Sequence, residues 1–150
     1  MKVRAQITKK EIDLVGRSCL CLPIQRAARV IGRRFDEALR PLDITNWQFS
    51  LLMNLGTDTP PSIGALAEAL AMDRTTITAN LKPLERRGLV TVLRDEKDGR
   101  SRRVVLTRAG VDLLTDAYAI WRKVNSEATR KLADIGLADF HLALNTISEQ

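Results

Sequence analysis

The segment from Ser62 to Thr107 constrains the fold more than any other part of the chain. It holds two short amphipathic stretches, SIGALAEALAM and DRTTITANLKPLERRG, followed by LVTVLRDEKDGRSRRVVLT. In the last stretch Val90 and Val92, then Val104 and Leu106, recur with the period of two expected of half-buried strands. The run between them, Arg94 to Arg103, is too charged to pack a core, so it reads as an exposed basic loop. Gly99 is expected to turn its tip with a positive φ. Two helices followed by strand, basic loop and strand make a shape that fits DNA grooves. Nothing elsewhere in the chain looks like an active site.

The two helices have the dimensions of a helix-turn-helix. Ser62, after Pro60 and Pro61, is placed to cap the first, whose apolar residues Ile63, Leu66, Ala67 and Leu70 follow helical spacing. Asp73 is placed to cap the second, with Ile77, Leu81 and Leu84 as its buried stripe. That leaves Thr75, Thr78, Ala79, Lys82 and Arg86 on the outer face, and Arg74 and Thr76 near the end where a recognition helix meets base edges. Threonine can hydrogen-bond a base or offer its methyl group to thymine; lysine and arginine neutralise phosphate or read guanine. Pro83 removes a backbone bond and crowds the carbonyl of Ala79, which predicts a kink or a helix regular only to Lys82. The candidate DNA-contact set is therefore Arg74, Thr75, Thr76, Thr78, Lys82 and Arg86 on the helix, with Arg94, Lys97, Arg100, Arg102 and Arg103 on the loop.

Charge supports the same reading. The chain carries a net +6, and residues 73–103 hold nine Lys/Arg against five Asp/Glu. A basic footprint gathered on one module is what phosphate contact requires.

Long helices flank this module. Thr8 and Glu11 form a capping-box pattern, so helix is expected from about Lys9. Leu20, Ile24, Ala27, Ile31, Phe35, Ala38 and Leu42 continue at alternating spacings of four and three, with Pro23 as a kink or break and Pro41 as the stop. Thr45 caps a further helix from Asn46 to about Leu55. From Val111 a seam of Leu114, Tyr118, Trp121, Asn125, Ala128 and Leu132 predicts a helix of roughly 25 residues, too long for a small domain unless it packs along a partner. A last helix is expected over about Leu137 to Ser148. The fold class is thus mainly α with a small β-hairpin wing.

The residues Leu42-Asp43-Ile44-Thr45, Gln48 to Leu52, Leu84 to Val90, Asp98-Gly99-Arg100-Ser101, Leu106-Thr107 and Gly110 stand in an order that resembles the MarR (multiple antibiotic resistance regulator) family of winged-helix repressors. The resemblance runs over nearly the whole chain, and Asp-x-Arg followed by Leu-Thr is its more specific part. It implies one domain over 1–150, with a DNA-binding lobe at 42–107 and dimerisation helices at 8–41 and 108–150. It further implies a homodimer on a pseudo-palindromic double-stranded operator, with half-sites about one helical turn apart, ~10 bp. Arg100 at each wing tip would then enter the flanking minor groove.

The resemblance also implies a signal. Family members often bind small aromatic anions between the dimerisation helices and the DNA-reading lobe. Phe35, Trp47 and Trp121, three of only six aromatic residues, are the candidates to line such an effector pocket; as apolar residues at helical spacing they equally suit plain core. In the hydroperoxide-sensing branch of the family a reactive cysteine lies in the first helix, and Cys21 matches its place. The tyrosines that hold that thiolate are replaced here by Phe35 and Asn46. Helical geometry puts Cys21 with Ala28 and Phe35, as a small buried hydrophobe. It puts Cys19 with Arg26 and Arg33, whose charge would favour the thiolate. Two cysteines at i and i+2 of one helix point apart and cannot bridge within it.

Other classes fare less well. His141 is the only histidine, with no cysteine near it in sequence, so neither a metal site nor a catalytic triad has support. No glycine-rich loop follows a strand, which argues against a nucleotide cofactor. No cofactor or metal is expected. A winged helix that binds only protein would carry an apolar outer face, whereas Thr75, Thr78 and Lys82 are polar. There is no membrane-length apolar run and no signal-peptide core near the first residue, so a cytoplasmic location is expected.

Overall fold

The computed structural model describes residues 7–96 and 98–149. It has seven α-helices and one hairpin among those residues: α1 Lys9–Ser18, α2 Cys21–Leu39, α3 Asn46–Met53, α4 Ile63–Ala69, α5 Arg74–Arg86, β1 Val90–Arg94, β2 Arg102–Leu106, α6 Arg108–Thr129 and α7 Leu137–Ser148. Short 3-10 turns at Arg40–Leu42 and Arg130–Leu132 extend α2 and α6. The fold class expected from the sequence is the one observed.

Side-chain caps set most helix starts. Thr8 with Glu11 and Thr45 with Gln48 each form a reciprocal capping box, and Ser62, Asp73 and Thr107 accept from the third amide of their helices. Each oxygen satisfies a backbone donor that the helix itself cannot. Helix α5 ends on a positive-φ glycine, Gly88. Its amide donates to Glu85 and that of Leu89 to Leu84, the paired bonds that close a helix end around a left-handed residue. Helix α5 runs through Pro83 to Arg86 and does not stop at Lys82: the proline withholds one amide, and Leu81 and Leu84 hold that turn against the core. Helix α3 is shorter than expected and stops at Met53.

The core sits in the lobe between α2 and α6. Leu39, Leu52, Ile77, Leu84 and Val104 are fully enclosed, and Phe35, Ile44, Phe49, Leu66, Leu81 and Ala117 surround them. The two strands expected from the alternation form an antiparallel hairpin, with Val92 opposite Val104 and Val90 opposite Leu106. Helices α1 and α7 bury no residue at all. Ile12, Leu14, Val15, Leu22, Ile24, Leu142 and Ile147 stay exposed along them and along the start of α2.

The N-terminal helix is broken where the sequence suggested a kink. The break falls at Cys19–Leu20, ahead of Pro23, which sits in the first turn of α2 where no helical amide is needed. Cys19 is therefore the C-cap of α1 with extended backbone, and Cys21 opens α2. Cys21 is exposed and accepts a hydrogen bond from Gln25 Nε2 at 3.0 Å; Cys19 is half-buried. The expectation of a buried Cys21 on one continuous helix with Cys19 is corrected on both counts.

Candidate nucleic-acid interface

The turn from Leu70 to Asp73 sets α5 against α4. Ala71 takes a left-handed φ of 49°, and Met72 N donates to Ala67 O at 2.9 Å. Ile77, Leu81 and Leu84 are buried, so the opposite face carries Arg74, Thr75, Thr78, Lys82 and Arg86, all exposed. Thr76 is half-buried, and its hydroxyl donates to Asp73 Oδ2 at 2.7 Å while its amide donates to Oδ1. That residue completes the cap. These bonds from Thr76 hold the Asp73 carboxyl below its ordinary value. Thr78 Oγ1 donates to the Arg74 carbonyl at 2.8 Å, which uses its proton and leaves its lone pairs to accept.

The wing rises beside the start of α5. Its tip is built by carboxylates rather than by glycine: Asp98 Oδ1 accepts from Arg100 N at 3.0 Å, and Ser101 N donates to Asp98 O at 2.8 Å. Gly99 does not have a positive φ, contrary to expectation, because this side-chain-to-backbone turn bends the chain without a left-handed residue. Arg94, Arg100 and Arg102 are exposed. Lys97 lies outside the described residues.

Arg103 is different. Its Nε donates to the Asp95 carboxylate and its Nη1 to the Pro60 carbonyl at 2.7 Å. It faces the base of the wing, while its neighbour Arg102 faces out. Asp95 is the buried carboxylate that sequence reasoning missed. The hairpin register held a signal for it: Leu93 pairs with Arg103, and residues two apart share a strand face, so Asp95 is a diagonal neighbour of Arg103.

Helix and wing meet in one cleft of about 430 Å³ lined by Gly64, Arg74, Thr78, Asp98, Arg100 and Arg102, with Ser62, Ile63 and Ser101 completing it. Gly64 makes room there, since a Cβ on it would lie 3.1 Å from the Arg74 guanidinium. Three guanidinium groups and a threonine face one opening, with the Asp98 carboxylate on its wing side. Such a cleft is suited to an anionic backbone with base edges beside it.

Of the other candidates, Phe35 is buried in the core, Trp121 is half-buried against that core and stacks on Tyr118 at 5.7 Å, and Trp47 is exposed. A separate cleft of about 380 Å³ lies between the end of α2, the start of α3 and the end of α5, lined by Asp36, Arg40, Asp43, Ile44, Thr45, Gln48, Pro83 and Arg87. Arg87 crosses it, donating to the carbonyls of Leu42, at 3.0 Å, and Asp43. No helix among the described residues is long and apolar enough to cross a membrane.

A helix-turn-helix with a basic wing on its flank defines a winged-helix transcriptional regulator. The sequence model of the MarR family matches residues 44–101. The crystal structure of the M. tuberculosis transcriptional regulator MosR in complex with DNA is 34% identical and superposes with a TM-score of 0.78 over 87% of this chain and 93% of that one. A mutant MarR from E. coli complexed with operator DNA is 25% identical, with a TM-score of 0.77 over 95% and 99%. The HTH-type transcriptional regulator SarZ of Staphylococcus aureus is 29% identical over 119 residues, 77% of this chain and 80% of that protein. The chain belongs to the MarR family. These relatives are transcription regulators, not enzymes.

Proposed function

We propose that the protein is a homodimeric, sequence-specific double-stranded DNA-binding repressor that leaves a pseudo-palindromic operator when a small effector binds. The observation that carries this reading is the cleft in which Arg74 and Thr78 of α5 face Arg100 and Arg102 of the wing. Two solved relatives, MosR and MarR, were crystallised on DNA. In this reading residues 42–107 are the DNA-binding lobe of a single domain. Residues 8–41 and 108–150 form the dimer, because their exposed apolar side chains have no cover within one chain. Thr75, Thr78 and Lys82 face the major groove; Arg86, Arg94, Lys97 and Arg102 meet phosphate; Arg100 enters the minor groove.

Fluorescence anisotropy with a palindromic duplex from upstream of the gene, at two salt concentrations, tests the reading. Several released counterions give a steep slope of log K on log salt, ~0.9 per phosphate contact. Weak binding with no salt dependence on any duplex would sink it.

The effector site that fits is the cleft crossed by Arg87. Arg40 and Arg87 stand there beside Asp36 and Asp43, so a small anion would have to take Arg87 from its bonds to Leu42 and Asp43, while Ile44 and Pro83 offer apolar contact. A ligand there would sit between α2 and the end of α5, and would change the angle of the recognition helix. Titration of salicylate-like aromatic acids against operator-bound protein, with Arg40→Ala as the control, checks this: release by the acids that the variant resists supports it, and identical release from both proteins overturns it.

A thiol-sensing regulator is the second reading, favoured by one observation. Cys19 and Cys21 flank a helix break, where the constraint that holds i and i+2 apart on a helix does not apply. A peroxide would take two electrons and two protons from the pair as a disulfide forms. Operator affinity that is unchanged by peroxide in the wild-type protein would remove this reading.

A further inference from the structure

The base of the wing carries an ion pair that the DNA-contact surface does not use. Asp95, buried at the end of β1, accepts from Arg103 Nε and from Asp98 N at 3.1 Å, and its own amide donates to Ser101 O at 3.0 Å. One carboxylate thus holds both sides of the hairpin just below the tip. Arg103 then reaches across to Pro60 O at 2.7 Å. Beside it Val104 N donates to Pro61 O at 3.1 Å, and Ser62 bridges Arg103 across the backbone. Ser62 is also the N-cap of α4. The connection is therefore continuous: wing tip, Asp95, Arg103, Pro60–Ser62, α4, and through α4 the recognition helix α5 packed on it.

We propose that Asp95 and Arg103 are positioning residues that brace the wing against the loop before α4, and that they set where Arg100 stands relative to α5. This rests on the DNA-binding reading above. Two physical points support it. A two-stranded hairpin alone is marginal in water, so a wing whose arginine must meet a groove at a fixed distance from a helix needs an anchor outside the hairpin. A buried carboxylate is retained only with strong partners, and removing one partner strands the other. The position of Arg103, half-buried and bonded on two sides, also separates it from Arg102, its exposed neighbour. Of two adjacent arginines, one faces the DNA side and one holds the frame.

The brace makes a prediction opposite in sign to simple electrostatics. Asp95→Asn removes a negative charge from the wing and frees Arg103. If Arg103 were a phosphate contact restrained by Asp95, DNA binding would tighten. If the pair is a brace, operator binding weakens by about tenfold, the cost of losing one good arginine contact. The loss acts through Arg100, so it should vanish in an Arg100→Ala background, whereas independent contacts would give additive losses. Arg103→Met, which keeps the length of the side chain, should behave like Asp95→Asn. Arg102→Met should instead lower the salt slope by ~0.9 whether or not Arg100 is present.

Anisotropy titrations of these single and double variants on operator and on random duplex, with thermal melts to confirm folding, decide the matter. Hydrogen exchange tests the brace without DNA: the amides of Val104 and Ser101 should exchange faster in Asp95→Asn while those of α5 hold. Tighter operator binding by Asp95→Asn, or additive losses with Arg100→Ala, or unchanged exchange at Val104, each overturns the proposal. A wild-type protein with no salt-dependent affinity for either duplex overturns the DNA-binding reading, and the role of the brace with it; faster exchange at Val104 would still show the pair holding the wing.

Discussion

In the first turns of α5 three threonines of one chemical type do three different things. Thr76 spends its hydroxyl on Asp73, Thr78 donates to its own helix, and Thr75 is exposed at the second helical position. Thr75 and Thr78 are the readers of the proposed function. Thr75→Ala and Thr78→Ala should each cost about 1–3 kcal/mol on the operator and far less on random DNA, measured by competition titration. Equal losses on both duplexes would make them positioning groups. Asp73 gives a pH test of the cap beneath them. The hydrogen bond from Thr76 holds its carboxyl below the ordinary 3.8. A depressed carboxyl contributes stability above its unfolded value and loses it as pH falls through the lower folded value. Asp73→Ala should therefore melt below wild type near neutral pH, and the gap should narrow once the pH drops below about 4. A gap that stays constant to pH 2 would show that the carboxylate charge adds nothing to the cap.

Between elements, one close joint is where β2 turns into α6. Thr107 N donates to Leu89 O at 3.1 Å, and its hydroxyl donates to Gly88 O at 2.6 Å while accepting from Gly110 N at 3.1 Å. A Cβ on Gly110 would land on the Leu89 carbonyl, which is backbone and cannot swing away. Gly110→Ala should destabilise the fold by at least ~1–3 kcal/mol through overpacking, against a helix-propensity gain of about 1 kcal/mol. Chemical denaturation measures it; a variant as stable as wild type would mean that the α6 start can slide. Elements of this kind were legible where one local rule governed them. Thr8, Thr45, Ser62 and Asp73 were readable as caps, and the valine alternation gave the two strands of the hairpin, because each depends on neighbours within four residues; the pairing of Val92 with Val104 required the fold. The tip at Gly99 was misread because Asp98 supplies the turn by side chain. Pro23 announced the break at Cys19–Leu20, since its ring crowds the carbonyl four residues back, whereas the inward turn of Arg103 depends on contacts that sequence spacing does not contain. The exposed face of α5 was readable; its convergence with the wing into one cleft required the fold.

Across the whole molecule, apolar surface is distributed unevenly. The lobe encloses its large side chains, while α1 and α7 enclose none and leave Leu14 57% and Leu142 65% exposed. A groove of about 440 Å³ lined by Val30, Ile31, Ala128, Leu132, Leu137 and Phe140 also opens along α2, α6 and α7, with Arg34, Asn125, Thr129, Lys131 and His141 at its polar positions. Monomeric proteins seldom leave so much contiguous apolar surface in water. A second copy of the same chain is the economical cover, since a two-fold axis presents each terminal helix pair to its twin. Each large side chain fully buried there would contribute roughly 1.5–3 kcal/mol, so several together would make the proposed dimer obligate. Sedimentation at micromolar concentration should give a dimer of the 150-residue chain. Deletion of residues 134–150 should leave recognition helix and wing intact in sequence, yet cause dissociation or aggregation and loss of operator binding. A two-fold in the proposed dimer would also set the spacing of the two clefts, so the dimer should prefer half-sites ~10 bp apart and lose affinity when five base pairs are inserted between them. A folded monomer that bound the palindrome tightly, or indifference to the insertion, would refute the dimeric architecture while leaving the lobe's own contacts with DNA standing.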